Sequence, residues 1–165
     1  MDQQLADYIS ARWPALVRYA TVVCGDPDDA EELVQATLVR VAGRWWRLRD
    51  RHDIDAYVRT AIIRGHLNLR SRLRRREIRR AEPPSIAVLD SSESVNRSVD
   101  IRRALAALPP RQRAVLALRY LDDMTEAQAA EVLGCSIGTV KSQASKAIAA
   151  LRERFPELAE QEVRL

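Results

Sequence analysis

The sequence has few of the side-chain groupings that form catalytic or metal-binding sites. Of its 165 residues only two are cysteine, Cys24 and Cys135, and neither has the Cys or His spacing of a zinc motif. We expect both to be small buried residues in a reducing compartment. The two histidines, His52 and His66, stand alone, and glycine-rich phosphate loops and nucleophile motifs are missing. The sequence therefore predicts neither an enzyme nor a protein that carries a metal or another cofactor.

Long apolar runs are also missing. No stretch reaches the roughly 20 residues that a membrane-spanning helix needs, and the N-terminus has no basic-then-apolar signal pattern. We therefore expect a cytoplasmic protein without a membrane insertion. The formal net charge is +4 and the isoelectric point is near 9.5, with arginine strongly favoured over lysine. This balance suits a polyanionic partner.

Apolar residues recur at spacings of three and four along most of the chain, which predicts an all-α fold. One segment, 81–98, is rich in proline, serine and acidic residues instead, and we interpret it as a flexible linker. It divides the chain into two small helical domains, 1–80 and 99–154, and a tail, 155–165. The chain length suits two such domains, each with a modest core.

The first domain shows several helix signals. Pro14 predicts a break between two short helices, because proline is disfavoured inside a helix. Asp26 followed by Pro27 predicts the start of the next helix. Residues 45–55 are predicted to form a loop, and 54–80 a long helix. The residues predicted to face inward on the long helix are Ile54, Tyr57, Val58, Ala61, Ile62, Leu69 and Leu73.

Residues 125–153 have the pattern of a helix-turn-helix. Gly134 suits the end of the first helix, since glycine tolerates positive φ, and Ser136 suits the cap of the second. The second helix has an apolar stripe formed by Ile137, Val140, Ala144, Ile148 and Leu151. Its other face is small, polar and cationic, which fits a DNA major groove. The alternative is a merely solvated face on two packed helices.

The outer face of the predicted long helix is dominated by arginine. The arginines are Arg59, Arg64, Arg70, Arg72, Arg74, Arg75, Arg76, Arg79 and Arg80. A solvated basic tail would explain such a run. Nucleic acid explains it better, because so many like charges within about five turns repel one another unless a polyanion neutralises them.

The sequence from Leu108, LPPRQRAVLALRYLDDMTEAQAAEVLGCSIGTVKSQASKAIAALRE, resembles region 4 of bacterial sigma factors, closest to the group-4 or extracytoplasmic-function type. That resemblance implies contacts to the promoter −35 element. The implied contacts are Ser136, Thr139, Lys141, Ser142, Gln143 and Lys146, with Arg111 and Arg113 near a helix N-terminus placed to touch phosphate. The family often has Arg, Leu and Arg where this chain has Gln143, Ala144 and Lys146.

Two segments of the first domain are similar to sigma region 2. GDPDDAEELVQATLVRVAGRW is similar to region 2.2, which implies that Glu31, Glu32, Leu33 and Gln35 contact the clamp of the polymerase β′ subunit; Ala36 replaces an expected acid. AYVRTAIIRGHLNLRSRLRRRE resembles regions 2.3 and 2.4, with Arg64 where the family often has Asn. The implied contacts to the single-stranded −10 element are Trp46, Arg59, Arg64, His66, Asn68, Arg70 and Arg72. Trp45 is assigned to the core, and Trp46 remains open between core and base stacking.

These resemblances imply a sigma factor of the actinobacterial sigma-E-like subgroup that binds core RNA polymerase through the β′ clamp and the β flap. Its linker, extended at about 3.1 to 3.5 Å per residue, would span on the order of 50 Å and let both domains reach promoter DNA. An anti-sigma factor is a further implied partner. The alternatives are a stand-alone helix-turn-helix regulator and an RNA-binding protein that uses the basic helix.

Overall fold

The structure is a computed structural model that describes residues 2–80 and 97–156, with the backbone alone at 77–80 and 97–100. Within these ranges every regular element is helical, as the sequence predicts. The elements are α1 (Gln3–Cys24), α2 (Pro27–Ala42), α3 (Trp45–Leu48), α4 (Ile54–Arg80), α5 (Arg97–Ala106), α6 (Pro110–Leu116), a π-helical turn (Ala117–Leu121), α7 (Glu126–Leu133) and α8 (Ile137–Arg154). None of the described helices is both long and apolar enough to cross a membrane.

The predicted break at Pro14 is wrong, because α1 continues through it. Proline removes one intrahelical hydrogen bond and costs about 3 kcal/mol in a helix interior. On both sides of Pro14 the same helix buries apolar side chains, with Leu5 before it and Leu16, Ala20 and Val23 after it. Burial of such side chains contributes about 1.5 to 3 kcal/mol each, so packing outweighs the local cost.

The predicted starts of α2 and α4 are confirmed. Asp26 Oδ1 accepts from the backbone N–H groups of Asp28, at 2.9 Å, and Asp29, at 3.1 Å. Asp53 Oδ1 accepts from the Ala56 N–H at 2.8 Å and caps the start of α4. The stretch 45–55, predicted to be a loop, contains the short helix α3, whose residue Trp45 is buried as predicted.

The long helix α4 has the predicted bounds but is buried over its first half only. Val58, Ile62 and Ile63 are fully buried there. Leu69 and Leu73, which were predicted to face inward, are 53% and 41% exposed. That part of the prediction is wrong because the core formed by α1 and α2 ends before the second half of α4 begins.

The helix-turn-helix is confirmed in α7 and α8. Thr125 and Gln128 form a reciprocal capping box at the start of α7, and Gly134 ends it in the left-handed region, at φ 62°. Ser136 caps α8. In the predicted apolar stripe of α8, Ile137 is 47% exposed, whereas Ala147, which is outside that stripe, is fully buried. The inward face is therefore rotated away from its first predicted residue.

The two halves of the chain pack against each other. We call residues 2–80 the N-terminal module and residues 97–156 the C-terminal module. One hydrophobic core cluster runs from α1, α2 and α4 into α6, the π-helical turn, α7 and α8, and a smaller cluster of Leu108, Leu116 and Ala147 lies within the C-terminal module. Helix α5 begins at Arg97, two residues inside the predicted linker; 81–96 and 157–165 lie outside the described residues.

The connection between α1 and α2 depends on a glycine at the contact between modules. Gly25 has φ 81°, and a Cβ atom there would lie 2.9 Å from the Cα atom of Ala106 in α5. Contacts that short do not occur between real Cβ atoms and backbone, so any other residue would push the modules apart.

Candidate nucleic-acid and protein-binding surfaces

The recognition face of α8 is exposed and held by local hydrogen bonds. The Ser136 hydroxyl accepts from the Thr139 N–H at 3.1 Å and lies 2.9 Å from the Thr139 hydroxyl. Lys141 Nζ lies 3.6 Å from Glu126 Oε2 of α7, an exposed ion pair worth less than about 1 kcal/mol. Ser142 and Lys146 are exposed. This face offers hydroxyls and ammonium groups to an approaching phosphate backbone.

Two further residues complete the same face. Gln143 is half-buried, which leaves its amide at the edge of the recognition face. Ile137, absent from the predicted set because its spacing suggested the core, stands at the first position of α8 with 47% of its surface exposed. An exposed apolar side chain at that position suits contact with a thymine methyl group. The feature of the sequence that could have indicated this exposure is the position of Ile137 directly after the helix cap Ser136.

Arg111 and Arg113 have different surroundings, although both were predicted to touch phosphate. Arg111 is exposed at the start of α6. Arg113 is 2% exposed, and its guanidinium donates to the carbonyl oxygens of Val23 at 2.8 Å, Leu108 at 2.5 Å and Ala106 at 3.2 Å. Burial, with Arg70 nearby, lowers the pKa of Arg113. The prediction for Arg113 does not fit this placement, because its side chain joins the two modules and does not face solvent.

Arg59 and Arg64, predicted to bind the −10 strand, both contact the C-terminal module. Arg59 Nε lies 2.8 Å from Asp122 Oδ1, a pair of opposite charges without hydrogen-bond alignment. Arg64 is exposed, and its Nε donates to the carbonyl of Val132 in α7 at 3.2 Å. Both side chains are therefore engaged within the protein in this arrangement.

His66 is a packing residue in this structure. It is 5% exposed, and its Nδ1 lies 3.6 Å from the Sγ atom of Cys24, which is also buried. Burial, then the positive charges of Arg113 and Arg70, lowers the pKa of His66 to about 4, so the ring is neutral near pH 7. Burial likewise raises the pKa of Cys24 to about 11. The predicted DNA contact at His66 does not fit, because the ring faces the core.

The remaining predicted contacts lie in the open. Asn68, Arg70 and Arg72 are exposed on the second half of α4, as are Arg74, Arg75 and Arg76 beyond them. Trp46 is 64% exposed, with the Arg47 guanidinium 4.4 Å from its ring centroid. Trp45, in contrast, packs with Tyr8 at 5.7 Å between ring centroids. Trp46 is therefore the tryptophan that can stack on a base.

The acidic face of α2 is formed by Glu31, Glu32 and Gln35, all exposed. Leu33, predicted to be part of this contact surface, is 8% exposed and packs over Gly65 of α4, where a Cβ atom would lie 3.2 Å from its Cδ1. That prediction does not fit, because Leu33 is on the opposite side of the helix. Val39, which was not predicted, is 72% exposed one turn after Gln35 and adds an apolar point to the face.

A groove of about 550 Å³ separates α2 from the second half of α4. Asp29 and Glu32 line one wall, while Arg70 and Arg72 line the other. The N-terminal module thus presents an acidic and a basic surface side by side, suited to different partners. In the described ranges no three His, Cys, Asp or Glu side chains come together as a metal site.

The chain is similar to known proteins over both modules. Residues 9–77 match the family described as Sigma-70 region 2, and residues 98–151 match Sigma-70, region 4. The chain is 35% identical over 152 residues to an RNA polymerase sigma-E factor of Streptomyces avermitilis, which covers 92% of this chain and 85% of that protein. It is 31% identical over 150 residues to the ECF RNA polymerase sigma factor EcfG of Rhodopseudomonas palustris, with 89% and 82% covered.

Solved structures show the same arrangement of helices. The sigma factor RpoE, solved in complex with the anti-sigma factor NepR from Bartonella quintana, superposes with a TM-score of 0.68 at 26% identity, over 94% of this chain and 98% of that chain. The PhyRSL–NepR complex from Sphingomonas sp. Fr1 gives a TM-score of 0.54 at 19% identity over 93% of this chain and 88% of that chain, a likeness of fold alone.

Proposed function

The chain belongs to the extracytoplasmic-function family of RNA polymerase sigma factors, and we propose how its surfaces divide the work of that family. It binds core RNA polymerase and promoter DNA and directs promoter-specific transcription initiation. The polymerase performs the chemistry, so this chain selects where synthesis starts and acts in the cytoplasm without a cofactor. We assign region 2 to 1–80, the linker to 81–98 and region 4 to 99–154.

The −35 element is read by the exposed face of α8. Phosphate contacts come from Ser136, Thr139, Lys141, Ser142, Lys146 and Arg111. Gln143 reaches a base edge and Ile137 a thymine methyl group, since amide and methyl groups are the chemistry that reads the major groove. Phosphate contacts supply most of the affinity, and these two residues supply most of the discrimination.

The −10 strand is held by the second half of α4 and by α3. Exposed Asn68, Arg70 and Arg72 hold the backbone, and Trp46 stacks on an unpaired base, a contact worth about 1 to 3 kcal/mol. Arg59 and Arg64 join this surface once they are released from the C-terminal module. His66 supports the surface from the core by positioning α4 against α1.

Core polymerase docks on the acidic face of α2. Glu31, Glu32 and Gln35 contact the β′ clamp, with Val39 as an apolar contact one turn beyond Gln35, while region 4 contacts the β flap. An anti-sigma factor is a further proposed partner, by likeness to the RpoE that was solved with NepR.

One observation supports this function above the others. A small, cationic and exposed recognition face, behind a Gly134 turn, occurs in the same chain as an acid-faced α2 and a basic α4. A stand-alone regulator needs only the first of these surfaces, and an RNA-binding protein needs only the third. A sigma factor uses all three.

The test is in vitro transcription with core RNA polymerase over a promoter library. Addition of the chain should direct initiation from templates that share two elements, and failure on every template would overturn the proposal. Replacing Glu31 and Glu32 with Lys should weaken capture of core polymerase by about tenfold or more, since like charges then face the same partner surface. The control is Glu153→Lys, an exposed charge reversal in the other module, which should leave capture unchanged.

A further inference from the structure

One buried carboxylate of the C-terminal module lies against two polar side chains of the N-terminal module. The Asp122 side chain, directly after the π-helical turn of the C-terminal module, is 3% exposed. Tyr19 of α1 donates its hydroxyl proton to Asp122 Oδ2 at 2.6 Å, and Arg59 of α4 lies 2.8 Å from Oδ1. Two residues of the N-terminal module thus enclose one anion of the other.

The loop that carries Asp122 is held in position by its own backbone. The Asp122 N–H donates to the Ala117 carbonyl and the Met124 N–H to the Leu118 carbonyl, both at 3.0 Å. The Arg119 guanidinium also donates to the Met124 carbonyl. Asp123 follows with φ 50° and is exposed. The π-helical turn continues α6 to Leu121 and places Asp122 directly after it, with the carboxylate against Tyr19 of α1 and Arg59 of α4.

The enclosed site has the chemistry of a phosphate site. A guanidinium and a phenolic hydroxyl around an anion are the groups that proteins use to hold DNA phosphates. Burial raises the pKa of the Asp122 carboxyl, although the Tyr19 hydrogen bond and Arg59 oppose that effect. Removing the carboxylate would leave Arg59 and the Tyr19 hydroxyl without their buried partner, so its loss should destabilise the closed arrangement.

The closed arrangement does not suit a promoter. Arg64 of α4 is hydrogen-bonded to α7, the first helix of the helix-turn-helix, at 3.2 Å. The −10 and −35 elements are separated by more than one turn of DNA, about 34 Å. Surfaces in direct contact cannot occupy both elements at once, so promoter binding requires the modules to separate.

We infer that Asp122 is an internal competitor for promoter DNA, which closes the modules by filling the anion site of Tyr19 and Arg59 until a phosphate of the melted strand replaces it. The inference rests on the proposed function in that DNA is the replacing ligand. The inference adds a phosphate-binding role for Tyr19. It also means that Arg59 can bind DNA only when the modules are separated.

The first test measures closure without DNA or polymerase. Spin labels at Ala11→Cys and Ala149→Cys, in a Cys135→Ser background, report the distance between modules, because both sites are exposed and lie on different modules. The free chain should give one short distance at all protein concentrations. Asp122→Asn and Tyr19→Phe should each shift part of the population to longer distances, and Asp123→Asn, a matched loss of one charge at the next residue, should not. Identical distances in all four chains, or separated modules in the unmodified chain, would overturn closure by Asp122.

The second test measures competition with DNA. Binding of a labelled single-stranded −10 oligonucleotide to the free chain should tighten by roughly 5- to 10-fold in Asp122→Asn and stay unchanged in Asp123→Asn, since coupling of this kind is typically of that size. Equal affinity in the two variants would overturn the competition. Failure of initiation in the transcription assay, with the distance shift still present, would count against the sigma function and not against closure.

Discussion

The two halves of α4 carry the same residue type in two different roles. In the first half, Arg59 and Arg64 contact the C-terminal module through Asp122 and the Val132 carbonyl. In the second half, Arg70, Arg72 and their neighbours up to position 76 have open surroundings. Arginine occurs in both halves, more densely in the second, and the difference in surroundings is set by where the core of the N-terminal module ends. An arginine-rich helix is therefore not one binding surface.

Arg111 and Arg113 show the same difference over two positions. One is exposed at the start of α6, and the other is buried between carbonyl groups of both modules. The comparison teaches that basic residues near a DNA-binding motif fall into two groups. Some hold the two modules together, and others face the ligand. Four pairs of substitutions test how side chains divide between these two roles.

The largest expected effect is at Arg113. Arg113→Ala removes hydrogen bonds to three buried carbonyls, each worth about 1.5 to 3 kcal/mol for a charged donor, and leaves a cavity at the module interface. We expect the free energy of unfolding in urea to fall by about 3 kcal/mol or more. Arg111→Ala should change it by less than about 0.5 kcal/mol but weaken −35 duplex binding. Equal stability loss in both variants would contradict the assignment.

The next largest effect is the pH dependence of stability that His66 causes. Its pKa is lowered to about 4 in the folded chain, from an ordinary 6.5, so between these values the unfolded chain binds a proton that the folded chain does not. Stability is therefore fully present above pH 6.5 and is lost as the pH falls toward 4, by at most about 3 kcal/mol.

The measurement is the free energy of unfolding at several pH values in unmodified chain and His66→Gln. The substitution should remove most of the decline between pH 6.5 and 4. Exposed His52→Gln should keep the decline, and a decline unchanged in His66→Gln would show that other groups cause it.

Much of this arrangement follows from the sequence by local physics. Caps and turns were predictable because Asp26, Gly134 and Ser136 act on their own backbone within three residues. The bounds of α4 followed in the same way. Local signals failed at Pro14, where distant packing outweighs a local cost of helix formation.

For the candidate surfaces, the sequence predicted groups of residues but not which members of each group are exposed. Resemblance assigned most of the contacts to α2, α4 and α8, but it did not distinguish Leu33, His66 and Arg113, which are buried, from their exposed neighbours. Burial depends on what the opposite module contributes, and no spacing rule within one helix reports that. The Asp122 contact joins residues 103 positions apart and has no local signal at all.

Gln143 tests specificity on the recognition face. Gln143→Ala should lower transcription from cognate promoters by an amount equivalent to about 1 to 3 kcal/mol and relax the preference at one −35 position, because an amide that reads a base edge is lost. Lys146→Ala should weaken binding to all sequences alike. Capture of core polymerase should be unchanged in both, and a parallel loss of polymerase capture would contradict the assignment of this face.

The smallest effect is expected at Arg72, on the open half of α4. Because one phosphate contact releases less than one counterion, Arg72→Ala should reduce the slope of log affinity against log salt by about 0.7 for single-stranded −10 DNA. The free energy of unfolding should stay within about 0.5 kcal/mol, since the side chain is exposed and no burial is lost. Arg18→Ala, an equally exposed arginine on α1, is the control and should leave the slope unchanged. A similar fall of the salt slope in both variants would mean that net charge alone attracts the DNA strand. The two halves of α4 would then differ in packing but not in DNA binding.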